Sequence, residues 1–167
     1  GAAPVYPGTC RHLPDDPARR AAVPHAWRID MAAAVARAGP LDWHDAAAGI
    51  VRAVPQAQGD VVLARKDAPV SYHLAVTVDD AAQGVSDVVR GIDLFEATHV
   101  HRLLQALLGL AVPRYHHHPL LAGADGRRLA KRDGAPSLTA LREAGADPAE
   151  ITARLRGGGI GFDLANA

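Results

Sequence analysis

Closely spaced cations late in the chain are the first feature that could do chemistry. Four of the six residues from 127 to 132 are basic: Arg127, Arg128, Lys131 and Arg132. This loop follows a predicted strand, and open α/β sheets bind their ligands beyond the carboxyl ends of strands. A glycine-flanked basic loop could wrap a polyphosphate and stabilise the charge that builds on it. A solvated surface turn is the alternative interpretation.

Lys131 is unusual because this chain uses arginine almost everywhere else. Only two of its 18 basic residues are lysines, Lys66 and Lys131. An ammonium is a compact point charge, whereas a guanidinium is a planar fork. A lysine kept in such a chain therefore suggests a chemical role, although survival by chance is equally open.

Two further residues could bind a small acidic ligand. Arg90 ends a short apolar strand, where its guanidinium could hold a carboxylate; pairing with Asp87 or Asp93 is the structural alternative. Tyr72 lies at the start of a predicted helix, where a half-buried packing role is the more common one.

Two groups of residues could bind metal, and neither forms a complete site by itself. Structural zinc needs four ligands, commonly with cysteines in short pairs, and Cys10, near Tyr6, is the only cysteine in the chain. A free cysteine is therefore the favoured interpretation of Cys10 from these residues alone. Three histidines are adjacent at 116–118, but side chains alternate along a strand, so at most His116 and His118 share a face. We interpret these histidines as strand residues beside the predicted crevice.

The length is that of about one domain, and the composition excludes several classes of protein. The 167 residues carry 18 basic and 18 acidic side chains, which excludes a strongly cationic nucleic-acid clamp but not a local basic patch. One cysteine excludes an internal disulfide. No apolar run is long enough for a bilayer and no signal peptide opens the chain, so we expect a cytoplasmic protein that does not contact membranes.

These residues must be positioned by alternating strands and helices. Apolar patterning predicts strands over 61–64, 85–90 and 115–121, the second of them buried. It also predicts a helix over 72–83, and another that is capped by Thr98 and ended by Gly109. The apolar face of the first helix would be Tyr72, Leu74, Ala75 and Val78, and that of the second Val100, Leu103, Leu104, Leu107 and Leu108. Two short helices should follow Ser137 and Asp147. The strand–helix–strand unit over 85–121 implies a parallel sheet with a right-handed crossover. The pattern over 25–58 is too weak to assign.

Taken in order, five segments resemble the second half of a glutamyl-tRNA synthetase catalytic domain. The segments are residues 60–65, 72–80, 84–93, 113–121 and 126–134. The resemblance covers roughly residues 59–145. It implies the second half of a class I Rossmann fold, an α/β parallel sheet with flanking helices, followed by a short helical segment that carries a KMSKS-like loop.

Within that family the chain most resembles the glutamyl-Q tRNA(Asp) synthetases, shortened relatives that attach glutamate to the queuosine base of tRNA(Asp). Two features favour this branch. Because the sequence continues only a short way past the basic loop, we expect no anticodon-binding domain. Tyr6 and Cys10 also resemble the last two ligands of a zinc site with the pattern Cys-x-Cys followed by Tyr-x-x-x-Cys, whose first half would precede Gly1.

The resemblance also implies a division of the chain and a role for each candidate residue. Residues 1–58 would hold the zinc-site remnant and an acceptor-binding-like insertion, 59–124 the Rossmann half, 125–156 the KMSKS-like loop and short helices, and 157–167 a flexible tail. Tyr72 and Arg90 would bind glutamate. The ATP-binding loop would be Arg128, Leu129, Ala130, Lys131 and Arg132, with Lys131 as the catalytic lysine.

These roles imply a ligase, expected to be a monomer, that uses ATP with Mg²⁺, glutamate and a tRNA, most simply tRNA(Asp). Zn²⁺ would have half of its ligand set in this chain. Ala130 replaces the serine usual in the signature loop, and His99 and His101 stand where the family usually has Pro and Gln.

The first Rossmann half, with its HIGH-like motif, is not in this sequence. We therefore expect this piece alone to be inactive. Charging of the tRNA 3′ end, a non-catalytic remnant and a histidine-rich metal-binding protein are the competing interpretations.

Overall fold

The computed structural model describes residues 5–65, 67–123, 129, 137–156 and 161–162. The chain divides into two compact units, Gly1–His117 and His118–Ala167. The larger unit contains four helices and six strands within its described residues. They are α1 (Pro17–Ala22), β1 (Ala26–Arg28), α2 (Met31–Ala38), β2 (Asp42–Asp45), β3 (Gly49–Arg52), β4 (Val62–Arg65), α3 (Tyr72–Ala82), β5 (Asp87–Gly91), α4 (Phe95–Leu108) and β6 (Arg114–His118). Single 3₁₀ turns span Pro55–Gln58 and Ile92–Leu94.

The main sheet is mixed, which corrects the predicted parallel sheet. Its strand order is β3-β2-β6-β5. Strand β2 pairs with β6 in parallel, with Asp45 opposite Tyr115, but it forms an antiparallel hairpin with β3. Gly49 follows the hairpin turn at a φ of 74°, a backbone conformation that glycine adopts without strain. This hairpin lies in the stretch that the sequence pattern left unassigned. Strands β1 and β4 form a separate antiparallel pair.

The predicted strand–helix–strand unit is present, with shifted ends. Strands β5 and β6 are neighbours in the sheet, and α4 connects them along the chain. Gly109 ends α4 in the left-handed region, at a φ of 67°, as predicted. The strand predicted over 115–121 ends at His118.

Two predictions about this unit were wrong. Thr98 does not cap α4, because the 3₁₀ turn leads directly into a helix that begins at Phe95 without a side-chain cap. The hydroxyl of Thr98 instead donates to the carbonyl of Leu94 at 3.2 Å. Strand β5 is not a buried strand either, since Val89 is 67% exposed on a strand at the edge of the sheet.

The apolar core forms between α2 and α4. Its buried members are Met31, Ala34, Val100, Leu103 and Leu104. A second cluster packs Trp43 and Tyr115 with Ala53. The predicted apolar face of α4 is confirmed for its buried members, whereas Leu108 is half exposed.

Helix α3 confirms the predicted range closely, but not the predicted buried face. It runs from Tyr72 to Ala82, and the Ser71 hydroxyl accepts from the N–H of Leu74 at 3.4 Å at its N-terminus. Its buried residue is Thr77, rather than the predicted apolar residues Tyr72 and Val78, which are exposed.

The smaller unit holds the two short helices predicted after Ser137 and Asp147. They are α5 (Leu138–Glu143) and α6 (Pro148–Arg156). The Ser137 hydroxyl caps α5 through the N–H of Ala140 at 3.1 Å, and the Asp147 carboxylate accepts from the N–H of Ala149 at 2.8 Å. Strand β7 (Ala122–Gly123) pairs in parallel with β8 (Gly161–Phe162). Within the described residues no helix has the length and apolarity that a membrane crossing requires.

Candidate functional site

A buried polar network surrounds Arg90 at the end of β5. Its Nε–H donates to Nε2 of His117 at 3.1 Å, and Nη1 donates to Nδ1 of His101 at 3.3 Å. Nη2 donates to the carbonyl of Leu94 at 3.3 Å and to the hydroxyl of Thr98. A guanidinium has five N–H groups, and acceptors among the described residues occupy four of them. Within that part of the chain, one N–H, on Nη1, is left for a ligand.

Asp45 holds the imidazole of His117 from the other side. Its Oδ2 accepts from Nδ1 of His117 at 2.7 Å and from the backbone N–H of the same residue at 3.2 Å. Both side chains are buried, at 1% exposure for Asp45 and 0% for His117. The parallel register of β2 and β6 produces this contact, because Asp45 pairs with Tyr115 and His117 lies on the same face two residues later.

Four N–H donors converge on the carboxylate of Asp45. Besides His117, the backbone N–H groups of Ala47 and Ala48 each donate to Oδ1 at 2.9 Å. Burial acts to raise the pKa of Asp45, but these hydrogen bonds outweigh it and lower the pKa of its carboxyl to about 2. Asp45 is therefore a carboxylate that accepts four hydrogen bonds at neutral pH.

The donor–acceptor pattern assigns the protons of this network. A guanidinium only donates, so Nε2 of His117 and Nδ1 of His101 accept, and the proton of His101 is on Nε2. That Nε2 lies 3.1 Å from Nδ1 of His73, which must then accept. Burial, with the charge of Arg90, lowers the pKa of His101 to about 3 and also lowers the pKa of His73. Both imidazoles are neutral at pH 7.

Tyr72 and His73 connect this network to an open cleft, because both contact His101 and both line the cleft. The ring of Tyr72 lies edge-on to His101, with 5.7 Å between centroids. Both Tyr72 and His73 line a cleft of about 690 Å³. Its wall also contains charged side chains of both signs, Arg28, Asp60, Arg65, Asp93 and Glu96. The cleft is therefore polar, with room for a ligand of amino-acid size or larger.

The two residues that the sequence predicts to bind glutamate, Tyr72 and Arg90, both contact His101. Of the two structural alternatives for Arg90, pairing with Asp87 or with Asp93, the first does not apply, because the carboxylate of Asp87 binds Arg114 at 2.8 Å. Of the predicted ATP-binding loop only Leu129 is described, and its N–H donates to the carbonyl of Leu121 at 2.9 Å. Arg128, Ala130, Lys131 and Arg132 lie outside the described residues.

The two predicted metal ligands lie next to each other near the N-terminus. The hydroxyl of Tyr6 accepts from the backbone N–H of Cys10 at 2.6 Å, and the thiol of Cys10 is exposed. Among the described residues no group of three or more His, Cys, Asp and Glu side chains could hold a metal ion. The described chain alone therefore does not fit a four-ligand zinc site.

Sequence reasoning missed the roles of Asp45, His73 and His117. The signal for His117 was the alternation along β6, where Tyr115 and His117 are buried and His116 and His118 are exposed. The shared face predicted for His116 and His118 is confirmed, but the buried histidine is the one between them. No local pattern indicated Asp45, because its role depends on pairing with a strand about 70 residues away.

Comparison with known proteins identifies the family. Residues 2–163 match the family described as tRNA synthetases class I (E and Q), catalytic domain. The chain belongs to this family. A glutamyl-Q tRNA(Asp) synthetase of Rhodobacter capsulatus is 49% identical over 156 residues, which cover 88% of this chain and 54% of that relative. One of Deinococcus radiodurans is 44% identical over 153 residues, covering 90% and 49%.

A solved structure is similar over part of the chain. It is a glutamate tRNA ligase from Elizabethkingia meningosepticum in complex with its amino acid, 28% identical with a TM-score of 0.50, covering 57% of this chain and 19% of that one. The chain spans about half the length of the curated relatives it matches.

Proposed function

We propose that the protein containing this chain activates glutamate with ATP and transfers the glutamyl group to tRNA. The acceptor that we propose is the queuosine base of tRNA(Asp), in the cytoplasm. Membership of the class I family supports the use of ATP. The names of the relatives from Rhodobacter capsulatus and Deinococcus radiodurans support the acceptor. The named amino acid is glutamate in both those relatives and the similar solved structure.

The observation that carries this proposal is the convergence of Tyr72 and Arg90 on His101. The resemblance assigned both residues to glutamate from sequence, and 18 positions separate them. Arg90 donates to Nδ1 of His101 at 3.3 Å, and the ring of Tyr72 contacts the same imidazole. Because one Nη1 N–H remains, we propose that a glutamate carboxylate accepts a single charge-assisted hydrogen bond from Arg90 rather than a bidentate pair.

In the proposed reaction, the glutamate carboxylate attacks the α-phosphate of ATP in line and pyrophosphate leaves. Positioning and neutralisation of phosphate charge would carry most of the rate. We propose that Lys131, with Arg128 and Arg132, stabilises the charge on the departing pyrophosphate, and that Mg²⁺ accompanies the ATP. No step depends on zinc, for which Tyr6 and Cys10 would supply at most half of a ligand set.

The first experiment is glutamate-dependent exchange of pyrophosphate into ATP, with and without tRNA, in the protein that contains this chain. Lys131→Ala should abolish the exchange, whereas Lys66→Ala is the matched control and should leave it unchanged. Arg90→Lys keeps the charge but loses the planar fork, and should raise the KM for glutamate more than that for ATP. Full exchange in Lys131→Ala would show that the phosphate-binding assignment is wrong.

The acceptor is tested separately with tRNA(Asp) that either contains queuosine or retains the unmodified guanosine. Each is used with and without its 3′-terminal adenosine. Transfer to queuosine requires the modified base and tolerates loss of the adenosine. The reverse pattern would identify ordinary charging of the 3′ end. If the protein shows neither transfer nor exchange, the non-catalytic interpretation is favoured.

A further inference from the structure

We propose that Asp45 and His117 are positioning residues that fix the guanidinium of Arg90 for the carboxylate of the substrate. The inference rests on the proposed function in naming that carboxylate, whereas the connection from Asp45 through His117 to Arg90 stands on geometry alone. The two residues would not touch the substrate. They would determine which edge of Arg90 is available to it.

The hydrogen bonds around Asp45 can be satisfied only by a carboxylate. All four groups that approach it are N–H donors, from Ala47, Ala48 and twice from His117, at 2.7–3.2 Å. An asparagine has one acceptor oxygen, so its NH₂ group would have to face two of these donors. A structural link between β2 and β6 needs only the backbone donors. The bond to Nδ1 of His117 is additional, and it fixes the proton of the imidazole on Nδ1.

That proton position makes Nε2 of His117 the acceptor that Arg90 needs. With the proton on Nδ1, the lone pair of Nε2 can accept from the Nε–H of Arg90, 3.1 Å away, and the hydroxyl of Thr98 lies 3.2 Å from the same nitrogen. Thr98 and Leu94 hold Nη2 from another side, and the guanidinium lies over the ring of Tyr115 at 5.2 Å. The Nε edge and Nη2 are therefore occupied, so the guanidinium presents Nη1. Without the correct proton on His117, two N–H groups would face each other across this contact.

Two substitutions of His117 separate positioning from simple packing. The amide N–H of asparagine can replace Nδ1–H, so His117→Asn keeps the bond to Asp45 and loses Arg90. The amide oxygen of glutamine can replace Nε2, so His117→Gln keeps the bond to Arg90. His116→Gln is the matched control, because His116 is exposed on the same strand.

We expect His117→Asn and Asp45→Asn to raise the KM for glutamate about tenfold to a hundredfold in the exchange assay, with a much smaller effect on kcat and on the KM for ATP. His117→Gln should stay close to the wild type, and so should His116→Gln. Thermal melting reports folding for each variant. Equal KM values for glutamate in the two His117 variants would overturn the proposal, because a packing role does not distinguish the two ring nitrogens.

A measurement on the unsubstituted protein tests the geometry without any activity. The ¹⁵N chemical shifts of the His117 imidazole, assigned by their loss in His117→Gln, report which nitrogen carries the proton. A protonated Nδ1 with an unprotonated Nε2 at neutral pH is expected. The opposite tautomer, or a doubly protonated ring, would overturn the proposal. If the wild type shows no glutamate-dependent exchange, the proposed function fails while this measurement still decides whether Asp45 and His117 orient Arg90.

Discussion

Two faces of helix α4 are buried in different ways. One face contributes Val100, Leu103 and Leu104 to the apolar core against α2. The other contributes Thr98 and His101 to the polar network around Arg90. Apolar burial depends on area and volume and has no direction, whereas each member of the polar network needs a partner of the right kind at the right angle. The first face is expected to determine stability, and the second to determine binding.

The largest expected effect on stability is at the apolar face. Leu103 is fully buried, so Leu103→Ala removes packed volume and leaves a cavity. We expect the free energy of unfolding to fall by about 2–5 kcal/mol, measured by urea denaturation. Leu108→Ala is the matched control on the same helix, because Leu108 is half exposed. Similar losses in both variants would contradict the assignment of Leu103 to the core.

The sequence predicted the apolar face better than the polar one, for a physical reason. Spacing of three and four residues is enough to identify Val100, Leu103 and Leu104 as one face of a helix. Tyr72 and Arg90 were also singled out, because a family resemblance covers them, and their role in binding glutamate stays a prediction. Asp45 and His117 were not identified, because their contact depends on the parallel register of two strands that are distant in sequence. A polar residue gives no local sign that it will be buried with a partner.

A buried hydrogen bond between Trp43 and His99 lies at the boundary between the two faces. The indole N–H of Trp43 donates to Nδ1 of the buried His99 at 3.3 Å, where the family usually has Pro. His99→Leu retains apolar volume but leaves that donor unsatisfied. The expected cost is about 1–3 kcal/mol, again from urea denaturation. Trp43→Phe should recover part of this loss when the two substitutions are combined; fully additive losses would show that the hydrogen bond contributes nothing.

A gradual, pH-dependent effect on stability is expected on the polar face. Burial, with the charge of Arg90, lowers the pKa of His101 from 6.5 to about 3. The unfolded chain therefore binds a proton near pH 6.5 that the folded chain does not bind until near pH 3. This contribution to stability is fully present above pH 6.5 and is lost as the pH falls towards 3, by about 1 kcal/mol per pH unit.

The variant that tests this prediction is His101→Gln, which introduces the residue usual in the family and does not titrate. Urea denaturation across the same pH range should give a shallower fall in stability than in the wild type. The slope that remains would come from His73 and His99, whose pKa values burial also lowers. Below about pH 4 it would also come from Asp45, Asp60 and Asp87, whose pKa values hydrogen bonds lower. An unchanged slope would mean that His101 is not the source.

The smallest effect is expected where a charge pair is exposed rather than buried. Arg114 lies on the outer face of β6 and binds Asp87 at 2.8 Å, whereas His117, three residues later on the buried face, binds Asp45 at 2.7 Å. The two contacts have nearly the same length, but water screens the first and is excluded from the second. Arg114→Ala should therefore change the unfolding midpoint only slightly, and the difference should disappear in high salt. A large, salt-independent loss would show that contact length, rather than burial, determines which polar contacts stabilise this sheet.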